Sequence, residues 1–168
     1  YSDKYSDKKT IIYNKSGVII GGKDEVGEYQ RMYDDQTGGY SDKYSDKKTI
    51  NYNKSGVIIG GKDEDGEYQR TYDAQTGGYS DKYSDRTRNY DNNDRWIGGV
   101  DTGGEAYETT YADDGSWVAK PTDPNAKWET HYDKYGKETG GKLTNKENLD
   151  TEYTVHRDAS GENAYKEY

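Results

Sequence analysis

YSDKYSDKKTIIYNKSGVIIGGKDEVGEYQRMYDDQTGG, residues 1–39, is followed at once by YSDKYSDKKTINYNKSGVIIGGKDEDGEYQRTYDAQTGG, residues 40–78. The copies differ at four positions: Ile12 against Asn51, Val26 against Asp65, Met32 against Thr71 and Asp35 against Ala74. Near-identical tandem units point to a repeat architecture in which each unit buries its face against its neighbours. Such duplication multiplies surface and valency. A catalytic centre instead needs unlike residues converging once.

Working outward, a third copy opens at Tyr79 with YSDKYSD, and NYDNNDRWIGGVDTGGEAYETTY (residues 89–111) aligns on NYNKSGVIIGGKDEDGEYQRTY (residues 51–72). A fourth is more degenerate: YDKYGKETGGK (132–142) lies on YNKSGVIIGGK (13–23). The domain reading is one continuous array: repeat 1 at 1–39, repeat 2 at 40–78, a diverged repeat 3 at 79–117, and a degenerate capping repeat 4 at 118–168 whose last eight residues form a tail.

Composition limits what can hold such an array. Hydrophobic residues make up 28% of the 168, charged residues 34%, and the net charge is -9. An ordinary soluble domain is roughly 45–50% apolar, so a thick aliphatic core is excluded. The chain has 20 Tyr and three Trp but no Phe or Cys, so aromatic rings must supply most of the buried apolar surface and no disulfide contributes. Acids and bases are interspersed, with no basic stripe to displace counterions from phosphates, which disfavours nucleic acid. No run approaches the ~20 apolar residues of a membrane-spanning helix.

Turn chemistry recurs at half the long period. Tyr13-Asn-Lys-Ser-Gly17, Tyr33-Asp-Asp-Gln-Thr-Gly38, Tyr52-Asn-Lys-Ser-Gly56, Tyr111-Ala-Asp-Asp-Gly115 and Tyr132-Asp-Lys-Tyr-Gly136 each end a strand in Tyr and close on Gly. Asn or Asp bonds the backbone two residues on, and Gly supplies a positive φ, so each segment predicts a hairpin. The first copy then reads as four strands, roughly Tyr1 to Ser6, Lys9 to Tyr13, Val18 to Lys23 and Glu28 to Tyr33. The whole chain reads as about sixteen. Ile12→Asn and Met32→Thr sit at parity opposite to the tyrosines, which predicts a packed tyrosine face and a wet reverse face. The fold class is all-β, an antiparallel hairpin meander, with a four-bladed propeller or a largely disordered chain as the alternatives.

Chemistry-bearing motifs are sparse. His131 and His156 share no motif with a nucleophile and an acid, so the reading is non-enzymatic, with no catalytic residue and no cofactor. The acidic stretches Asp91-Asn-Asn-Asp94 and Lys62-Asp-Glu-Asp-Gly-Glu67 lack calcium-loop ligand spacing and read as turns, leaving no metal site. Asn14-Lys-Ser16 and Asn53-Lys-Ser55 match the N-glycosylation pattern and fall in predicted exposed turns. YSDKYSD, at Tyr1, Tyr40 and Tyr79, alternates aromatic, hydroxyl, acid and base, and is either a displayed contact segment or an edge strand whose charges prevent aggregation.

The Tyr-, Gly-, Asp- and Lys-rich repeats, as in YSDKYSDKKTIIYNKSG (1–17) and WETHYDKYGKETGGK (128–142), resemble the secreted byssal foot proteins of mussels, the freshwater dreissenid type more than the marine. That resemblance implies hydroxylation of tyrosine to catechol and a role in underwater adhesion and cohesion. The implied positions are Tyr1, Tyr5, Tyr40, Tyr44, Tyr79 and Tyr83, then Tyr132 and Tyr135. The leading functional reading is a secreted, extracellular structural or adhesive protein. Its partners are solid surfaces or other matrix proteins, with self-association in addition. Two others stand beside it: a multivalent glycan-binding module using Trp96, Trp117 and Trp128, and a fragment similar to the YD repeats of bacterial surface proteins, suggested by Tyr132-Asp-Lys-Tyr-Gly136.

Overall fold

The computed structural model describes residues 2–4, 9–126, 128–144, 150–157 and 164–168. The protein is all-β, an antiparallel hairpin meander, and seventeen strands lie among the described residues. The chain divides into two compact units, Tyr1–Tyr72 with Asp81–Ser84, and Asp73–Ser80 with Asp85–Tyr168.

The first unit carries β1 (Ser2–Lys4), β2 (Thr10–Tyr13), β3 (Ile19–Lys23), β4 (Glu28–Tyr33), β5 (Tyr40–Tyr44), β6 (Thr49–Tyr52), β7 (Ile58–Asp63) and β8 (Gly66–Tyr72). Each strand pairs antiparallel with the next in sequence. Strand β9 (Tyr79–Tyr83) is divided, its first two residues belonging to the second unit and the rest to the first. The second unit continues with β10 (Thr87–Tyr90), β11 (Trp96–Val100), β12 (Ala106–Tyr111), β13 (Trp117–Pro121), β14 (Glu129–Tyr132), β15 (Glu138–Thr144), β16 (Asp150–Arg157) and β17 (Ala164–Glu167). Here too each strand from β10 onward pairs with its successor.

Hydrogen bonding runs without a break through the junction of repeats 1 and 2. Strand β4 pairs with β5 over five residues, from Tyr29↔Tyr44 to Tyr33↔Tyr40. A propeller blade would end there, so the propeller alternative is set aside. The paired strands likewise replace the disordered alternative. The C-terminal stretch expected as a tail carries β17, which pairs with β16 in the slot that β5 occupies after β4.

The turns form as their chemistry dictates. Asn53 Oδ1 accepts from the Ser55 and Val57 amides at 2.9 and 3.0 Å, and Gly56 takes a φ of 79°. The longer Asp73 turn closes the same way, with Gly77 at φ 74°.

Two features give the repeat its faces. First, a bulge recurs where β2 meets β3, β6 meets β7, β10 meets β11 and β14 meets β15. Tyr52 pairs with Ile58 while Asn51 pairs with Gly60, so Ile59 is the extra residue and turns outward. Second, the paired glycines after the bulge let strands approach where no side chain fits. A Cβ on Gly61 would stand 2.1 Å from the Thr49 carbonyl oxygen, and on Gly22 2.1 Å from that of Thr10. The phenol oxygen of Tyr29 reaches to 3.0 Å from that same Gly22 position, so a tyrosine covers the glycine from the next strand.

The result is one packed face and one wet face. The packed face of the first unit aligns Arg31, Asp42, Ile50 and Gly61 in one cross-strand row, and Tyr33, Tyr40, Tyr52 and Ile58 in the next. Ile12 and Met32 lie on the other face, 42% and 59% exposed. Their tolerance of Asn and Thr in the second copy follows directly.

Candidate functional site

In the first unit the packed face is an alternation of rings and one buried ion pair. Arg31 on β4 faces Asp42 on β5, with Nε to Oδ1 and Nη2 to Oδ2 both at 2.7 Å. Arg70 and Asp81 repeat the pair at the same two distances. The Asp42 side chain is 3% exposed, and the guanidinium of Arg31 lies 4.0 Å from the Tyr40 ring centre and 5.6 Å from that of Tyr29. Bidentate geometry and flanking aromatic faces satisfy a charge pair that burial would otherwise penalise. The hydrogen bond to Asp42 holds the Arg31 pKa above its usual value.

Around the pair, tyrosines meet across strands. Tyr40 and Tyr52 stack at 4.7 Å, and Tyr29 and Tyr44 tilt against each other at 5.7 Å. The Tyr44 hydroxyl donates to Asp24 Oδ2 at 2.7 Å, and Tyr83 donates to Asp63 Oδ2 at 2.6 Å. Burial, then the bond to Asp24, pushes the Tyr44 phenol well above its ordinary pKa. Burial and the nearby Asp42 charge raise Tyr52 to about 12. These rings are kept neutral and structural.

The second unit fills the equivalent positions differently. Trp117 stacks on Tyr132 at 3.8 Å and meets Trp96 edge-on at 5.1 Å. Thr109 and Ala119 stand opposite each other in the register slot of Arg31 and Asp42. The Thr109 hydroxyl and the Tyr111 phenol both donate to the Trp96 carbonyl, at 2.7 and 2.8 Å. Tyr79 stacks on Tyr90 at 4.8 Å, as Tyr40 does on Tyr52.

The tyrosines singled out from the sequence are therefore placed very unequally. Tyr1 and Tyr5 lie outside the described residues. Tyr44 and Tyr83 are 4% and 5% exposed, the most enclosed rings of the first unit. Tyr40, Tyr79 and Tyr132 are half-buried in stacks. Tyr135, at a hairpin tip, is 77% exposed. Asn14 and Asn53 sit in turns as expected, each with its side-chain oxygen bound to backbone amides. All three tryptophans lie in the second unit. His131 stands against Glu129, and His156 stacks on Tyr165.

The wet face holds what the sequence reading passed over. In the first unit the same open groove is built twice above a glycine pair. One is edged by Lys23, Glu28, Gln30 and Lys43, the other by Lys62, Glu67, Gln69 and Lys82. These residues are identical between copies and exposed. The signal was available: they are the positions of parity opposite to the tyrosines.

No known family matches the chain, and no curated protein is significantly similar to it. No helix among the described residues is long and apolar enough to cross a membrane.

Proposed function

We propose that this is a secreted, non-enzymatic structural or adhesive repeat protein that presents ionic and polar side chains multivalently to solid surfaces or to other extracellular matrix proteins. The observation that supports this reading is the duplicated wet groove: two identical sets of lysine, glutamate and glutamine on one unit, backed by a face already filled by tyrosines and ion pairs. Four strands separate equivalent positions, which at the usual interstrand spacing is about 19 Å. Weak contacts at such separation reinforce one another through effective concentration, so each need be worth little alone.

The resemblance to byssal foot proteins enters the proposal with one refinement. Catechol formation and surface contact fall on Tyr135 first, and then on Tyr168 and Tyr165, 70% and 64% exposed, rather than on the enclosed Tyr44 and Tyr83.

Adsorption to silica, followed by quartz crystal microbalance, tests the reading. Lys43→Gln and Lys82→Gln remove one ammonium from each groove. Each single substitution lowers retention a few-fold, and the pair lowers it by more than the product of the two. Retention unchanged in the double variant rejects the multivalent face.

A further inference from the structure

The two copies and the fourth repeat show three times over what belongs beside the glycine-covering tyrosine. Tyr29 faces Tyr44, Tyr68 faces Tyr83 at 5.5 Å, and Tyr153 lies 5.9 Å from Tyr168. The remaining member of the series is Tyr107, and its cross-strand partner is Pro121. A ring that the other repeats supply is missing there.

The carboxylate that would receive the missing phenol is still in place. Asp24, Asp63 and Asp101 each stand two residues after the second glycine of their pair. Each uses Oδ1 to cap its own turn: Asp24 accepts from Val26 and Gly27, Asp63 from Asp65, and Asp101 from Gly103 and Glu105, the last two at 2.9 Å. In the first unit Oδ2 then accepts the phenol proton of Tyr44 or Tyr83. Among the described residues no donor reaches Oδ2 of Asp101.

A cleft of about 570 Å3 lies on the Tyr107 side of this position, bordered by Arg86, Arg88, Asp101, Tyr107, Ala119 and Trp128, with Pro121 itself outside the lining. That volume lies in the range of ordinary small-ligand sites. Ala119 widens it, since the aspartate of the equivalent buried ion pair is absent. Trp128 donates its indole N–H to Glu105 at 2.7 Å, which fixes the ring at the cleft, and no other ring packs against it among the described residues. An open indole face, a tyrosine face and a carboxylate oxygen without a donor suit one kind of guest: a flat ring carrying a hydroxyl.

We infer that this cleft binds a para-alkyl phenol, the chemistry of a tyrosine side chain, with the hydroxyl on Asp101 Oδ2 and the ring between Tyr107 and Trp128. Tyrosines with that chemistry are exposed on this same chain: Tyr135, Tyr165 and Tyr168 are 77%, 64% and 70% exposed. Docking of such a ring from a second copy would give the chain a specific means of cohesion. The inference stands apart from the wet-face reading, because it uses the opposite face and a different unit.

N-acetyl-tyrosinamide is titrated into the intact protein while the indole N–H signals of Trp96 and Trp128 are followed by NMR, with N-acetyl-phenylalaninamide as the control. The tyrosine probe binds saturably and at least tenfold tighter than the phenylalanine probe. Asp101→Asn keeps the turn acceptor and abolishes that preference. Pro121→Tyr supplies the ring from within, abolishes probe binding and raises the melting temperature. Equal affinity for the two probes, no saturable shift at millimolar probe, or full binding in a folded Pro121→Tyr variant overturns the inference. Sedimentation of the free protein then assigns the source. Self-association abolished by Pro121→Tyr makes the donor a second copy, whereas a monomer with unchanged probe affinity makes it a tyrosine or phenol from another molecule.

Discussion

The duplicated first unit and the diverged second unit share a steric frame but not a filling. Both keep the bulge, the paired glycines, the Asx turns and a tyrosine across the second glycine. Where the first unit closes its packed face with Arg31–Asp42 and Arg70–Asp81 between tyrosine rings, the second uses Trp96, Trp117 and Tyr132 around Thr109 and Ala119. The backbone plan is thus set by where side chains are forbidden. What fills the remaining space is exchangeable, provided that every buried charge has its partner.

The sharpest way to break this comparison is to half-convert one filling into the other. Asp42→Ala leaves the Arg31 guanidinium enclosed without its acceptor and costs about 4 kcal/mol in chemical denaturation. The combined Arg31→Thr and Asp42→Ala variant reproduces the Thr109–Ala119 arrangement and costs only about 1 kcal/mol. Equal losses in the single and double variants would show that the two fillings are not exchangeable.

The shared frame is tested by its glycines. Gly61→Ala and Gly99→Ala each lose about 3 kcal/mol, because the new methyl meets a backbone carbonyl, at 2.1 Å from Thr49 and 1.9 Å from Thr87 respectively. Tolerance of either change, read from the same denaturation curves, removes the steric argument for that unit.

Alkaline titration probes both units more gently, because burial raises phenols in each. Phenols of the unfolded chain ionise near pH 10, whereas Tyr52 in the folded first unit waits until about pH 12. The unfolded state therefore releases protons first. Stability from this tyrosine is fully present below pH 10 and is lost as pH rises toward 12. Strand circular dichroism should fall in that window. Tryptophan emission, which reports the second unit alone, should change with it, since burial likewise raises the phenol of Tyr132, the ring stacked on Trp117.

Much of this frame was legible in the residues. The ends of β2, β3 and β4 match the reading to within one position, because Asn, Asp and Gly mark the turns between them, while the ends expected for the first strand, Tyr1 and Ser6, lie outside the described residues. The wet face was legible from Ile12→Asn and Met32→Thr alone. The bulge was not: Val18-Ile19-Ile20 gives no periodicity signal, and only pairing shows that Ile20 is the extra residue. The polar composition of YSDKYSD leaves it open as a displayed contact segment or as an edge strand protected by its charges. Its parity says otherwise, as Tyr40, Asp42 and Tyr44 share one face. The hairpin closing at Tyr33 and Tyr40 sets Arg31 opposite Asp42. Carrying that register through would have found the ion pair. The absence of a tyrosine at Pro121 gained meaning only beside three equivalents, one of which lies in the supposed tail.

The central claim is that rings of the packed face, led by Tyr44 and Tyr83, are enclosed between strands while Tyr135 is open to solvent. Hydroxyl-radical footprinting of the native protein, resolved by peptide mass spectrometry, measures this ring by ring. Protection of Tyr44 and Tyr83 with rapid oxidation of Tyr135 is the predicted result, and oxidation of all three at similar rates would contradict it.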